Sequence, residues 1–115
     1  MQEEKEKIQF DEFLEIEKKL EIKYGTIKFV ERINKKMLKL TVDLNEEYLR
    51  TVVTNIGAKV DRDDYLVGCQ FPFITNLAPA VISGFESTAM IMIVEDENGK
   101  IQWPTRNFED GSKLF

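Results

Sequence analysis

Lys28, Arg32, Lys35, Lys36 and Lys39 crowd into the stretch from Thr26 to Lys39, where Glu31 is the single acid. Such a run of cations can neutralise phosphates, and phosphate contacts supply most non-specific affinity for nucleic acid. Lys28, Lys36 and Lys39 are candidate phosphate contacts, and Arg50 a fourth. Asn76 and Ser87 carry an amide and a hydroxyl that can hydrogen-bond a base edge or a sugar. Each has an ordinary alternative. A charge cluster is commonly a solvated face, Ser87 and Thr88 can simply cap a sheet edge, and Arg50 can be a surface strand residue. Phe29 and Phe85 can present rings to a base, but core packing is the favoured expectation for both.

Other chemistry finds little support. There is no histidine, so the commonest general base and metal ligand is missing. The single Cys69 has no imidazole partner, excludes an internal disulfide and fits a reducing compartment. The acidic pairs Asp63/Asp64 and Glu95/Asp96 sit in turn contexts, and no Gly-rich phosphate loop occurs. No catalytic residue, metal site or cofactor is expected.

The chain has 115 residues, 43% hydrophobic and 32% charged, which suits one ordered domain over 1–115 with residues 1–7 frayed. No apolar run reaches membrane-spanning length and the charged start is no signal peptide, so a cytoplasmic protein is expected. The net charge of −5 is awkward for a nucleic-acid binder, but its distribution matters more than its sum. The first 25 residues are acidic in bias, and the cations follow.

Phe10, Phe13, Leu14, Ile16 and Leu20 fall mostly on one helical face, with acids at the start and lysines at the end. That helix must cover an open barrel end or a second subunit. Ile22 to Ile33 reads as a strand with a bulge at Gly25, and Asn34 to Lys36 as a turn. Met37 to Asp43 alternates cleanly, and Asn45 to Glu47 turns into a third strand from Tyr48 to Asn55. Asp61 is the expected N-cap of a short helix through Leu66. Gln70 to Thr75 is a strand that Pro72 assigns to an edge or bulge. Asn76 to Pro79 opens a loop, Gly84 makes a corner, and Met90 to Glu95 reads as one buried strand. Asn98-Gly99 is a hairpin signal returning through Trp103, and Asp110-Gly111 is a further turn. This order of strands predicts an all-β OB-fold: a five-stranded Greek-key barrel, with an N-terminal amphipathic helix and a short helix before strand 4.

Asn76, Leu77, Pro79, Gly84, Ser87, Ala89 and Met90 resemble, without a gap, the N-L-x-P-x-x-x-x-G-x-x-S-x-[GA]-M signature of the tRNA-binding domain family. That family includes domains appended to methionyl-tRNA synthetases, stand-alone tRNA-binding proteins and CsaA-type chaperones. Leu20 to Gly25, Lys36 to Asp43, Leu49 to Ile56 and Leu66 to Gly68 resemble further family segments, so the likeness runs from about residue 8 to the C-terminus. It implies an OB barrel that binds tRNA or another structured RNA without catalysis. Ala78 and Val81 stand where the family often has lysine, and Ile33-Asn34-Lys35 departs from its N-A-D. The alternatives are a peptide-binding secretion-type chaperone, which Val81 and Ile82 suit, or a degenerate dimeric assembly module with weak RNA affinity. A homodimer through the terminal segments is expected, and a synthetase partner is open.

Overall fold

A computed structural model describes residues 4–103 and 108–115. Residues 1–3 of the charged lead-in and 104–107 of the tail lie outside the described residues.

The core follows from the alternation in the second strand. In β2 (Leu38–Asp43), Leu38, Leu40 and Val42 are fully buried, while Lys39, Thr41 and Asp43 face outward. β1 (Ile22–Arg32) and β3 (Arg50–Thr54) flank it in antiparallel register, Leu40 opposite Val30 on one side and Val52 on the other. β4 (Gln70–Ile74) pairs with the first half of β1 and adds Phe71 and Phe73 to the same interior. β5 (Ala80–Ile82) and β6 (Phe85–Ser87) form a hairpin, and β7 (Met90–Ile91) then pairs with β4. The sheet order is β3-β2-β1-β4-β7. The Thr88 amide donates to the Thr51 carbonyl at 3.1 Å, bringing the lead into β7 against β3. The result is a nearly closed five-stranded OB-like barrel.

Gly25 lies at the tightest approach in this barrel, not at a bulge. A β-carbon there would stand 2.7 Å from a Leu44 methyl and 2.8 Å from one of Val42. The bulge lies three residues on, at Lys28: Ile27 opposes Val42 and Phe29 opposes Thr41.

Pro72 also departs from expectation, because β4 is an interior strand paired on both sides. Opposite it, both polar backbone groups of Tyr24 turn the other way, to Gly111 and Ser112, so β1 asks no donor of Pro72. Toward β7 the Pro72 carbonyl accepts the Met92 amide, but no return bond is possible. The ladder stops there. The apolar run Met90 to Glu95 is therefore not one buried strand. It breaks after Ile91, and β8 (Val94–Glu95) emerges exposed to pair with β9 (Ile101–Gln102). Asn98-Gly99 does turn that hairpin, with the Asp96 carboxylate accepting the Asn98 and Lys100 amides at 2.9 Å.

The helix before strand 4 is a single 3-10 turn, Asp63–Leu66. Its cap position is Arg62 with no side-chain cap bond, so Asp61 does not cap it. A second 3-10 turn, Ile56–Lys59, follows β3. The N-terminal helix α1 (Phe10–Lys19) forms where the periodicity placed it, yet none of its side chains is buried. It plugs neither end of its own barrel.

The C-terminal segment occupies the edge of β1 that β2 is too short to reach. Gly111 and Leu114 amides donate to the Tyr24 and Ile22 carbonyls at 2.8 Å. Gln70, Thr26 and Asp110 secure it, the Thr26 hydroxyl lying 2.6 Å from the Asp110 carboxylate. The chain's last residues thus lie beside the root of the helix.

Candidate nucleic-acid interface

The cations gather at the β1–β2 hairpin and on its outer face. The turn is held from within: the Asn34 amide oxygen accepts the Lys36 and Met37 amides at 3.0 and 2.9 Å. Arg32 holds it from below. Its guanidinium grips Asp63 at 2.6 and 2.9 Å and donates to the carbonyls of Asn34, Lys35, Gly57 and Val60. The hydrogen bonds from Arg32 hold the Asp63 carboxyl below its ordinary pKa, so it stays charged and the clamp stays closed near neutral pH. Arg32 is fully committed to fixing the turn. Arg32 is the single arginine among the five cations, but its commitment is hidden in the sequence, because Asp63 and the four carbonyls are assembled only by folding.

Lys28, Lys35 and Lys36 are exposed and, among the described residues, form no ion pair. Lys39 is more constrained, with its ammonium 3.5 Å from Glu31 and 4.6 Å from the centre of the Phe85 ring. Phe29 stands on the same outer face, opposite Thr41, and is 65% exposed. It is not the core residue that its type favours. Phe85 is half-buried beneath Lys39.

The other three candidates are built into the scaffold. Arg50 is half-buried, with Nε and Nη2 each 2.7 Å from the Glu46 carboxylate and Nη1 2.6 Å from the Thr75 carbonyl. Asn76 accepts the Glu21 amide at 2.8 Å and donates to the Lys19 carbonyl, joining the end of β4 to the link between helix and barrel. Ser87 is 6% exposed; its hydroxyl accepts the Val53 amide at 3.0 Å and points its proton at the Ala89 carbonyl. The neighbouring Thr88 hydroxyl is enclosed with no partner among the described residues. These are groups that hold the face in place, and their hydrogen-bonding capacity is largely used.

The 76–90 stretch accordingly reads as a latch. Ser83 and Gly84 both have positive φ, at 52° and 85°, and make the tight two-residue turn between β5 and β6. Ser87 then ties the hairpin to β3, and Ala89 is buried behind it.

A model described as "Putative tRNA binding domain" matches residues 22–113, every strand of the barrel and all of this latch. The chain belongs to the tRNA-binding domain family. Over 112 residues this tRNA-binding domain is 38% identical to the methionine–tRNA ligase of Methanococcoides burtonii, covering 94% of the chain but only 16% of that enzyme. Among solved structures, a MetRS-related protein from Pyrococcus horikoshii superposes with a TM-score of 0.77 at 34% identity, covering 96% of this chain and all of that one. The chaperone CsaA from Bacillus anthracis shares the fold, with a TM-score of 0.75 at 21% identity over 96% of this chain and all of that one.

Among the described residues no helix is long and apolar enough to cross a membrane, and no group of three side chains is arranged to hold a metal ion.

Proposed function

We propose that this chain binds tRNA, or another structured RNA, on the outer face of β1 and β2 and on the turn between them, as a non-catalytic module. The observation that carries the reading is three exposed lysines, Lys28, Lys35 and Lys36, without an ion-pair partner among the described residues and held on one hairpin of a tRNA-binding domain. Lys28 and Lys36 contact phosphates directly, and Lys39 contributes a third charge beside Phe85. Arg50, Asn76 and Ser87 act by fixing the strands that carry the face. The site of action is the cytoplasm, where tRNA is, and a methionine–tRNA ligase is the natural candidate for a working partner.

The test is to purify the protein from its own cell and sequence the RNA and peptide fractions that come with it. Enrichment of tRNA is the expected result, and apolar peptides without RNA would overturn the reading. That second outcome has a site ready for it. A groove of about 670 Å³ runs between β3 and the β5–β7 region, lined mainly by Met37, Val53, Ile56, Ile82, Met90 and Ile93. Thr54, Asn55, Lys59 and Glu95 also line it, and the chaperone alternative would use it for an extended segment.

The protein acts as a symmetric homodimer in this proposal. α1 presents Phe10, Phe13 and Ile16 to solvent, and the C-terminal segment sets Leu114 and Phe115 beside the helix root. A second copy covers this surface with the same surface of its own, as an isologous interface does.

A further inference from the structure

Along β1, Gly25 and Ile27 point into the barrel, and Val30 does so again after a slip of one residue. The slip is Lys28, which has no partner on β2. A bulge of this kind re-aims side chains without disturbing the ladder on either side. Here it places Lys28 and Phe29, neighbours in sequence, exposed together, while Ile27 remains fully buried. An ordinary strand would have sent one of the two inward.

The bulge also places them among suitable company. Phe29 faces Thr41 across the ladder, and Lys39 lies two residues along β2 on the same face, about 7 Å away by strand geometry. Lys39 lies over the Phe85 ring and beside Glu31, so the face holds a second cation besides the exposed Lys28. The Phe29 ring has no aromatic partner among the described residues, and its short neighbour Thr41 leaves it uncovered. A flat ring in water beside an exposed cation is the pairing with which barrels of this type hold unpaired nucleotides, a base on the ring and a phosphate on the charge.

We propose that the Lys28–Phe29 bulge is a subsite for one unpaired nucleotide, whose base stacks on Phe29 and whose phosphate meets Lys28. The inference rests on the RNA-binding reading and narrows its ligand class to RNA with an exposed, unstacked base. A continuous duplex keeps its bases stacked within the helix and cannot offer one to the ring.

The experiment compares two probes on the full chain, an oligouridylate of about 12 nucleotides and an RNA duplex of similar length, a span suited to one OB barrel. Phe29→Ala is expected to weaken oligouridylate binding by about 5- to 150-fold, the worth of one stacked base. Duplex binding and the melting temperature should hardly move, because no charge and no core contact is removed. Phe29→Tyr keeps a ring and should keep the affinity. Unchanged oligouridylate binding by Phe29→Ala, or an equal loss on both probes, overturns the subsite. A wild-type protein that binds tRNA and duplex but not oligouridylate overturns the subsite alone. One that binds no RNA of any kind overturns the RNA-binding reading as well.

Discussion

Lys28→Glu and Lys36→Glu, combined in one chain, are expected to lower tRNA affinity by at least about tenfold and to flatten its salt dependence by about two phosphate contacts. Both ammonium groups are exposed and free of ion pairs among the described residues. Reversing them removes two attractive charges and adds two repulsive ones, while the melting temperature should stay nearly constant because exposed charges contribute little to stability. Arg50→Glu serves as the contrast. It breaks the two hydrogen bonds to Glu46, leaves the Thr75 carbonyl without its donor and sets two carboxylates together. A loss of about 1–3 kcal/mol is expected from the uncompensated groups alone. Lowered affinity in that variant should therefore follow lowered stability. Binding by anisotropy and melting by circular dichroism, run on both variants, separate the two effects.

Phe13→Asp is expected to abolish the homodimer. The helix has no buried side chain in the single chain, so its apolar stripe is covered only if a partner covers it. A carboxylate introduced at the centre of that stripe would be desolvated on pairing, without a counter-charge, at a cost of several kcal/mol. Phe13 is exposed on a helix that has no buried side chain, so the monomer should remain folded. Light scattering at micromolar concentration should give about twice 13.4 kDa for the wild type and a single 13.4 kDa unit for the variant. A wild-type mass of one chain at all concentrations would remove the dimer. With two copies joined, two hairpins would engage one RNA, and loss of the dimer should also weaken tRNA binding through lost avidity.

Where local pattern governs, the sequence was informative. The strict alternation of Leu38, Leu40 and Val42 against Lys39 and Thr41 specifies both the strand and its inward face. The spacing of Phe10, Phe13 and Ile16 specifies the helix but not what it covers, since a stripe carries no mark of its partner. The bulge was not legible: the apolar positions change parity at Ile27, whereas the folded strand keeps Gly25 and Ile27 inward and slips only at Lys28, and the residue of unusual conformational freedom is Gly25. Its real constraint is a side chain's worth of space taken by Val42 and Leu44, which only the folded barrel brings there. The run from Met90 to Glu95 misled for a similar reason. What ends its pairing is Pro72, on the opposite strand.

The site shows the same division. A count of charges finds the basic stretch, but cannot separate Lys36, exposed on its turn, from Arg32, which builds the turn. That distinction depends on Asp63 and four carbonyls distant in sequence. Asn76 and Ser87 suggested ligand contacts because amides and hydroxyls in a loop are versatile. Folding gives them backbone partners at Glu21, Lys19 and Val53 instead.

The most direct test of the account is the affinity of the wild-type protein for tRNA measured across a salt series. Cations on a hairpin held against phosphates predict binding in low salt whose logarithm falls linearly with the logarithm of salt concentration, with a slope of about −2 to −4 for the three to four lysines of the face. Binding that is absent at low salt, or that holds or strengthens as salt rises, would contradict it and direct attention to the apolar groove.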